Sequence, residues 1–245
     1  MFRSVKHILC LITLLTPGLP SFCGPPFGTD DPQPVDFRHW EYYLSSMNQF
    51  QHNFSTGTLP HFEVNYGLIR NCQIHFELPM NYNSFPSKEF QYGYGNTEVG
   101  IKIRLFKNSD ESFQVGIFPI AEIPTVKNPY FTNNKTQLYL PLWVQKSWGK
   151  FTTYGGGGYW INPGGTNVNW FFSGWEAQYD ISRHFTLGGE LYYKTAPEKD
   201  AKQALGFNLG GFINFTEKVH FIFSAGHSLS GEPTTTTYAG LLITI

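Results

Sequence analysis

The sequence has little charge, little cysteine and no long apolar run. Lys, Arg, Asp and Glu make up 14 % of its 245 residues, and the formal net charge is −1. A balance this weak leaves no basic footprint for a phosphate backbone, which excludes nucleic acid as a partner. Of the cysteines, Cys10 and Cys23 fall near the start and only Cys72 lies beyond them. A single thiol makes no internal disulfide, and beside Arg70-Asn71 it reads as a small apolar filler. Nowhere does the sequence hold a run of 18 apolar residues, the length a helix needs to cross a bilayer. With no Pro/Ser-rich linker and no charge run to divide the chain, one domain is expected.

Aromatic residues are abundant at 18 %, and there are 25 glycines. Mean hydropathy is nevertheless −0.26. Both facts suit apolar residues interleaved with polar ones.

The first residues have a secretory layout: Arg3, Lys6 and His7, an apolar stretch from Ile8 to Leu15, then Pro17 to Pro20. Ser21 and Cys23 place small residues at −3 and −1, so residues 1–23 are expected to be a signal peptide cleaved after Cys23. Phe22 directly before Cys23 argues against lipid attachment there. Residues 24–37 form a Pro/Asp-rich periplasmic leader, with four prolines and three aspartates up to Asp36. Such a segment is no ladder strand. It is either a solvated tail or a segment tucked against the barrel that follows.

From 38 to 245 the chain alternates. In Tyr94 to Phe106, the residues Thr97, Val99, Ile101, Ile103 and Leu105 share one face, and Glu98, Gly100, Lys102 and Arg104 the other. Successive strand side chains point to opposite sides, so this is a strand with an apolar outside and a polar inside. The same division recurs along about twelve strand-like segments, most of nine to thirteen residues, enough for a tilted strand to cross roughly 25 Å of apolar band. The segments are 38–48, 58–69, 72–82, 95–106, 112–123, 136–147, 150–161, 168–180, 184–195, 202–214, 218–228 and 237–245. Short links alternate with longer ones, at 48–57, 83–93, 124–135, 162–167, 195–201 and 228–236, as short periplasmic turns alternate with longer outer loops. The expected fold is all-β, a transmembrane antiparallel barrel of about twelve strands.

The polar face places Glu63, Glu77, Glu98, Lys102, Arg104, Glu122, Glu176, Glu190, Lys194, His61 and His75 toward the lumen, with His220. These groups either pair to hold a closed interior or line water in a pore. Trp40, Tyr42, Trp148, Tyr159, Trp160, Trp170 and Trp175 lie near strand ends and are expected in interfacial girdles. No catalytic set emerges. His227 and Ser228 are adjacent, so on a strand they face opposite ways and form no nucleophile–base pair. No cofactor motif is present, and the histidines lack helical metal-ligand spacing. Gly155 to Gly158 is followed by no Lys-Ser/Thr, which rules out a phosphate loop and leaves strand curvature or close approach of another segment.

Several longer stretches bear a family likeness: Pro25 to Pro32 with His39 to Glu41, Gly93 to Lys102, Leu140 to Gly149, Thr153 to Gly164, and Gly206 to Gly211. Through them the chain resembles transporter-like bacterial outer-membrane proteins related to the family named after the meta-pathway of phenol degradation. The resemblance implies a barrel that passes small, aromatic or apolar solutes, and it carries no binding residues.

The reading is thus a non-enzymatic channel or transporter for small solutes, without a cofactor, seated in the outer-membrane lipid of a Gram-negative bacterium. The alternatives are a closed surface barrel that binds a partner through its outer loops, and a barrel hydrolase. On a gel, the unheated protein is expected to migrate apart from the boiled form and to fractionate with outer membranes. A single heat-insensitive band in the soluble fraction would contradict the barrel.

Overall fold

The computed structural model describes residues 25–245 except 87, 129 and 133. The expected signal peptide, residues 1–23, lies outside the described residues. The strands are β1 (Trp40–Gln51), β2 (Phe54–Ile69), β3 (Cys72–Ser84), β4 (Gln91–Tyr94), β5 (Thr97–Lys107), β6 (Phe113–Ile117) and β7 (Ile120–Ile123). They continue with β8 (Gln137–Trp148), β9 (Phe151–Ile161), β10 (Trp170–Ser182), β11 (Phe185–Lys194), β12 (Ala204–Asn214), β13 (Val219–Ser230) and β14 (Thr235–Thr244).

These segments make twelve staves. β4 and β5 both pair with β3 and are one stave interrupted at Gly95-Asn96. β6 and β7 both lie between β5 and β8 and are one stave interrupted at Phe118-Pro119. Pro119 has no N–H to give the ladder, so the break falls where the sequence requires it. The inward pattern survives the break, because Gln114, Gly116, Phe118, Ile120 and Glu122 are all buried. β1 pairs with β14 from Glu41↔Thr244 to Phe50↔Thr235 and closes a twelve-stranded antiparallel barrel. Closure leaves no open sheet edge, the condition for strands to cross hydrocarbon.

The outer wall is apolar. Leu44, Phe62, Ile74, Phe76, Ile101, Leu138, Leu140, Leu142, Leu187, Leu191, Leu209, Leu241 and Ile243 are all exposed. In a soluble protein this would be an aggregating surface; around a membrane barrel it meets lipid. One expected member departs: Thr97 is buried, with its hydroxyl 2.8 Å from that of Thr125.

Two connections differ from the expected long loops. The link at 48–57 is a hairpin with only His52 and Asn53 between strands, and the link at 228–236 shrinks to residues 231–234. In both places the paired strands continue past the expected boundary, with Gln51 opposite Phe54 and His227 opposite Thr235. Polar Ser, Thr, Asn and Gln residues there pair as a ladder, although their composition resembles a loop. The long connection 124–136 between β7 and β8 remains. Of the residues expected in the girdles, Trp40, Tyr42, Trp148, Tyr159 and Trp175 are exposed, Trp175 at mid-strand in β10, but Trp160 and Trp170 are buried inside the barrel.

Leu142 is 49 % exposed at mid-strand in β8. Replacing it with Arg is expected to destabilise the lipid-inserted barrel by about 2–4 kcal/mol. Urea unfolding in lipid vesicles reads this, and an unchanged midpoint would mean that this face does not meet hydrocarbon.

Candidate functional site

The lumen is the candidate site, and the leader lies in it. Its course starts at the rim of β2, where Phe37 bridges Gly67 and Arg38 N–H donates to Gly67 O at 2.8 Å. A Cβ at Gly67 would strike the Asp36 carbonyl, so only glycine admits the chain there. Further in, Val35 N–H donates to Gln73 Oε1 at 2.7 Å and Gln114 Nε2 donates to Gln33 Oε1 at 3.2 Å. Lys102 Nζ meets Asp30 Oδ1 at 2.9 Å, with both side chains below a tenth exposed. Thr29 packs against Gly174, whose absent side chain makes the space. The Gly28 and Thr29 N–H groups donate to the two oxygens of Glu190 at 3.1 and 2.5 Å, and Ser224 Oγ donates to Pro26 O at 2.5 Å. Phe27, Thr29 and Asp30 are buried.

The leader therefore touches wall residues from β2 around to β13. Its backbone N–H groups find side-chain acceptors where a strand would have found a ladder.

On one wall the register aligns carboxylates. Glu63 stands opposite Glu77, Glu77 opposite Glu98, and Glu98 opposite Glu122. Like charges directly opposite destabilise a sheet, so this row needs cations or protons. Two imidazoles supply part of the answer. His61 Nε2 lies 3.2 Å from Glu77 Oε2, and His75 Nε2 lies 3.2 Å from Glu98 Oε1 and 3.5 Å from Glu77 Oε1. Glu122 accepts hydrogen bonds from Asn96 and Gln137. A second opposed pair, Glu176 and Glu190, stands on β10 and β11.

Between these regions the wall is aromatic. Tyr139 stacks on Trp160 at 4.7 Å, and Trp160 on Trp170 at 5.4 Å with rings only 6° from parallel. Trp143, Phe118, Phe172 and Tyr192 extend the buried cluster. The Trp143 Nε1–H has no hydrogen-bond partner among the described residues. Alternation carried a signal for this wall: Tyr159 and Trp160 are neighbours on one strand, so they cannot both face lipid. The glycine run permits close approach: a Cβ at Gly156 would strike the Leu142 carbonyl and then Trp143, and one at Gly155 would strike Trp175 on the outer wall.

Among the other expected lumen residues, Glu63, Glu77, Glu98, Lys102, Glu122, Glu176, Glu190, His61 and His75 are buried in the interior. Lys194 is half-buried near the outer end of β11. Arg104 sits at the rim, donating to Asn71 Oδ1 at 2.7 and 3.1 Å and to Gln114 at 2.9 Å, beside Glu111 at 3.7 Å. In the turn itself, the Lys107 ammonium bonded to Glu111 holds that carboxyl below its ordinary range. Sequence reasoning left Asp30 unassigned as a partner for Lys102, because nothing local joins residues so far apart. Ser228 Oγ donates to Glu232 O at 2.9 Å and accepts from Thr234 N–H at 2.8 Å. His227 Nδ1 lies 3.0 Å from Thr235 Oγ1, so the two residues are engaged separately.

No family model and no curated protein matches this sequence. Solved structures do resemble it in fold. An outer-membrane channel from Pseudomonas putida F1 matches with a TM-score of 0.70 at 12 % identity, covering 88 % of this chain and 98 % of that one. The KdgM porin and the NanC porin each match with a TM-score of 0.57 at 11 % identity, covering 82 % of this chain and 98 % of theirs. These barrels of similar fold are a channel and two porins.

Lys102→Met strands the buried Asp30 carboxylate and is expected to cost about 3–5 kcal/mol, most of which returns when Asp30→Asn is added. Urea unfolding of the two variants tests this. Equal midpoints for the parent and Lys102→Met would place Asp30 away from the wall.

Proposed function

We propose that this protein is an outer-membrane channel for small solutes, narrowed by its own leader. The observation that carries the reading is the closed barrel with lipid-compatible side chains outside and a continuous polar and aromatic lining inside. Such a wall has no use in water and a clear one across a bilayer. The fold shared with channels and porins supports the same reading.

The stacked Tyr139, Trp160 and Trp170 rings make one stretch of the barrel interior aromatic, a lining suited to apolar or aromatic solutes. This agrees with the resemblance to transporter-like proteins of aromatic degradation. The KdgM porin has been captured with oligogalacturonate, a polar solute, so a barrel of this shape is compatible with either chemistry. The lining therefore decides. Here an aromatic stretch of wall adjoins a row of carboxylates, and the reading is a small solute with an apolar face.

A second reading, a closed surface barrel, draws on the leader's occupation of the lumen. Planar-bilayer recordings separate the two. The parent protein is expected to give small single-channel steps, and deletion of residues 25–35 larger ones. Sealed bilayers with both proteins would remove the channel, and steps of equal size would remove the leader's role.

A further inference from the structure

The row of glutamates brings one imidazole nitrogen and two carboxylate oxygens together at a single point in the wall. Asn65 Nδ2 donates to Glu63 Oε1 at 2.8 Å, which fixes the amide and leaves Asn65 Oδ1 as the group facing His75 Nδ1 at 2.7 Å. That oxygen only accepts, so Nδ1 carries the proton. The other nitrogen, Nε2, then aims at two carboxylate oxygens, Glu98 Oε1 at 3.2 Å and Glu77 Oε1 at 3.5 Å. Those two carboxylates call for a positive charge on this side of the ring, either a second proton on Nε2 or a metal ion between the three atoms.

The spacing suits a metal ion. Donors bound about 2.0–2.1 Å from a tetrahedral centre lie roughly 3.3 Å apart. His75, Glu77 and Glu98 are 6, 6 and 3 % exposed. The supports that a ligated imidazole and carboxylate need are in place: Asn65 holds the far nitrogen of His75, and His61 Nε2 holds the other oxygen of Glu77 at 3.2 Å. Independently, Glu63 Oε2 on the neighbouring position is buried without a hydrogen-bond partner among the described residues. The second cluster of His61, Glu63 and Glu77 shares Glu77 with the first.

We infer that His75 Nε2, Glu77 Oε1 and Glu98 Oε1 bind one divalent transition-metal ion of the Zn²⁺ class in the barrel wall. Imidazole with carboxylates suits Zn²⁺ and Co²⁺ better than Ca²⁺ or Mg²⁺, which take oxygen ligands in greater number. The dication also offsets the repulsion along the row from Glu63 to Glu122. Helical spacing was the wrong template for these residues, because cross-strand register converges them.

The test uses the full chain in detergent, stripped with a chelator and titrated with Co²⁺ alone, read by visible absorption and by metal content. The expected result is one ion per chain, a visible band displaced by Zn²⁺, and uptake that weakens on acidification as protons compete for His75. His75→Gln and Glu98→Gln are each expected to weaken binding by about 100-fold or more, whereas His227→Gln leaves it unchanged. No stoichiometric uptake by the parent protein overturns the inference, even if a variant fails to fold. Uptake that His75→Gln and Glu98→Gln leave intact, in variants that still shift on heating in a gel, overturns it as well.

Discussion

Everything in this structure depends on the rule that a backbone N–H or C=O in hydrocarbon must find its partner within the protein. Strands meet the rule only when the sheet closes, and here closure is the β1–β14 pairing, continued by Trp40 N–H to Ile245 O at 2.8 Å and Ile245 N–H to Trp40 O at 2.9 Å. Once the sheet is a cylinder, alternation has only two destinations, lipid and lumen. Residues such as Leu142 and Glu176, in separate strands and unrelated in sequence, take their roles from that single choice of side.

The lumen then presents a problem of its own. Buried carboxylates on adjacent staves repel, and buried cations need partners. The leader meets part of this demand: it brings Asp30 to Lys102 and two N–H groups to Glu190. The imidazoles of His61 and His75 meet another part along β2, β3 and β5. The interior is thus a set of matched charges around an inserted segment, with a stacked aromatic face between them.

Period-two alternation made the barrel, its number of staves and most inward residues legible, because each such inference needs only neighbours in sequence. What was hidden depends on distance along the chain or on local slips of register. Counting back from the Arg70-Asn71 turn does not put Glu63 opposite Glu77, since the bulge between Gly67 and Ile69 shifts the pairing by one residue. The pairing of Glu77 with Glu98 spans a connection whose geometry no local pattern states. The leader's contacts are longer in range still, with Thr29 and Glu190 separated by 161 positions. Trp160 and Trp170 were misplaced because girdle residues and lumen residues share a composition; only strict alternation from Tyr159 and Phe171 separates them.

The account stands or falls on the leader's place inside the closed barrel. Disulfide trapping tests it directly, using Thr29→Cys with Gly174→Cys in a chain whose native cysteines are replaced by serine. An ideal Cβ at Gly174 falls 3.2 Å from Thr29 Cβ, close to the roughly 3.5–4.5 Å that a disulfide spans. The structure predicts rapid cross-linking of the folded, membrane-inserted protein under mild oxidation. No cross-link in that folded protein, together with a Thr29→Cys thiol that is open to a membrane-impermeant reagent when Gly174 is kept, would contradict it.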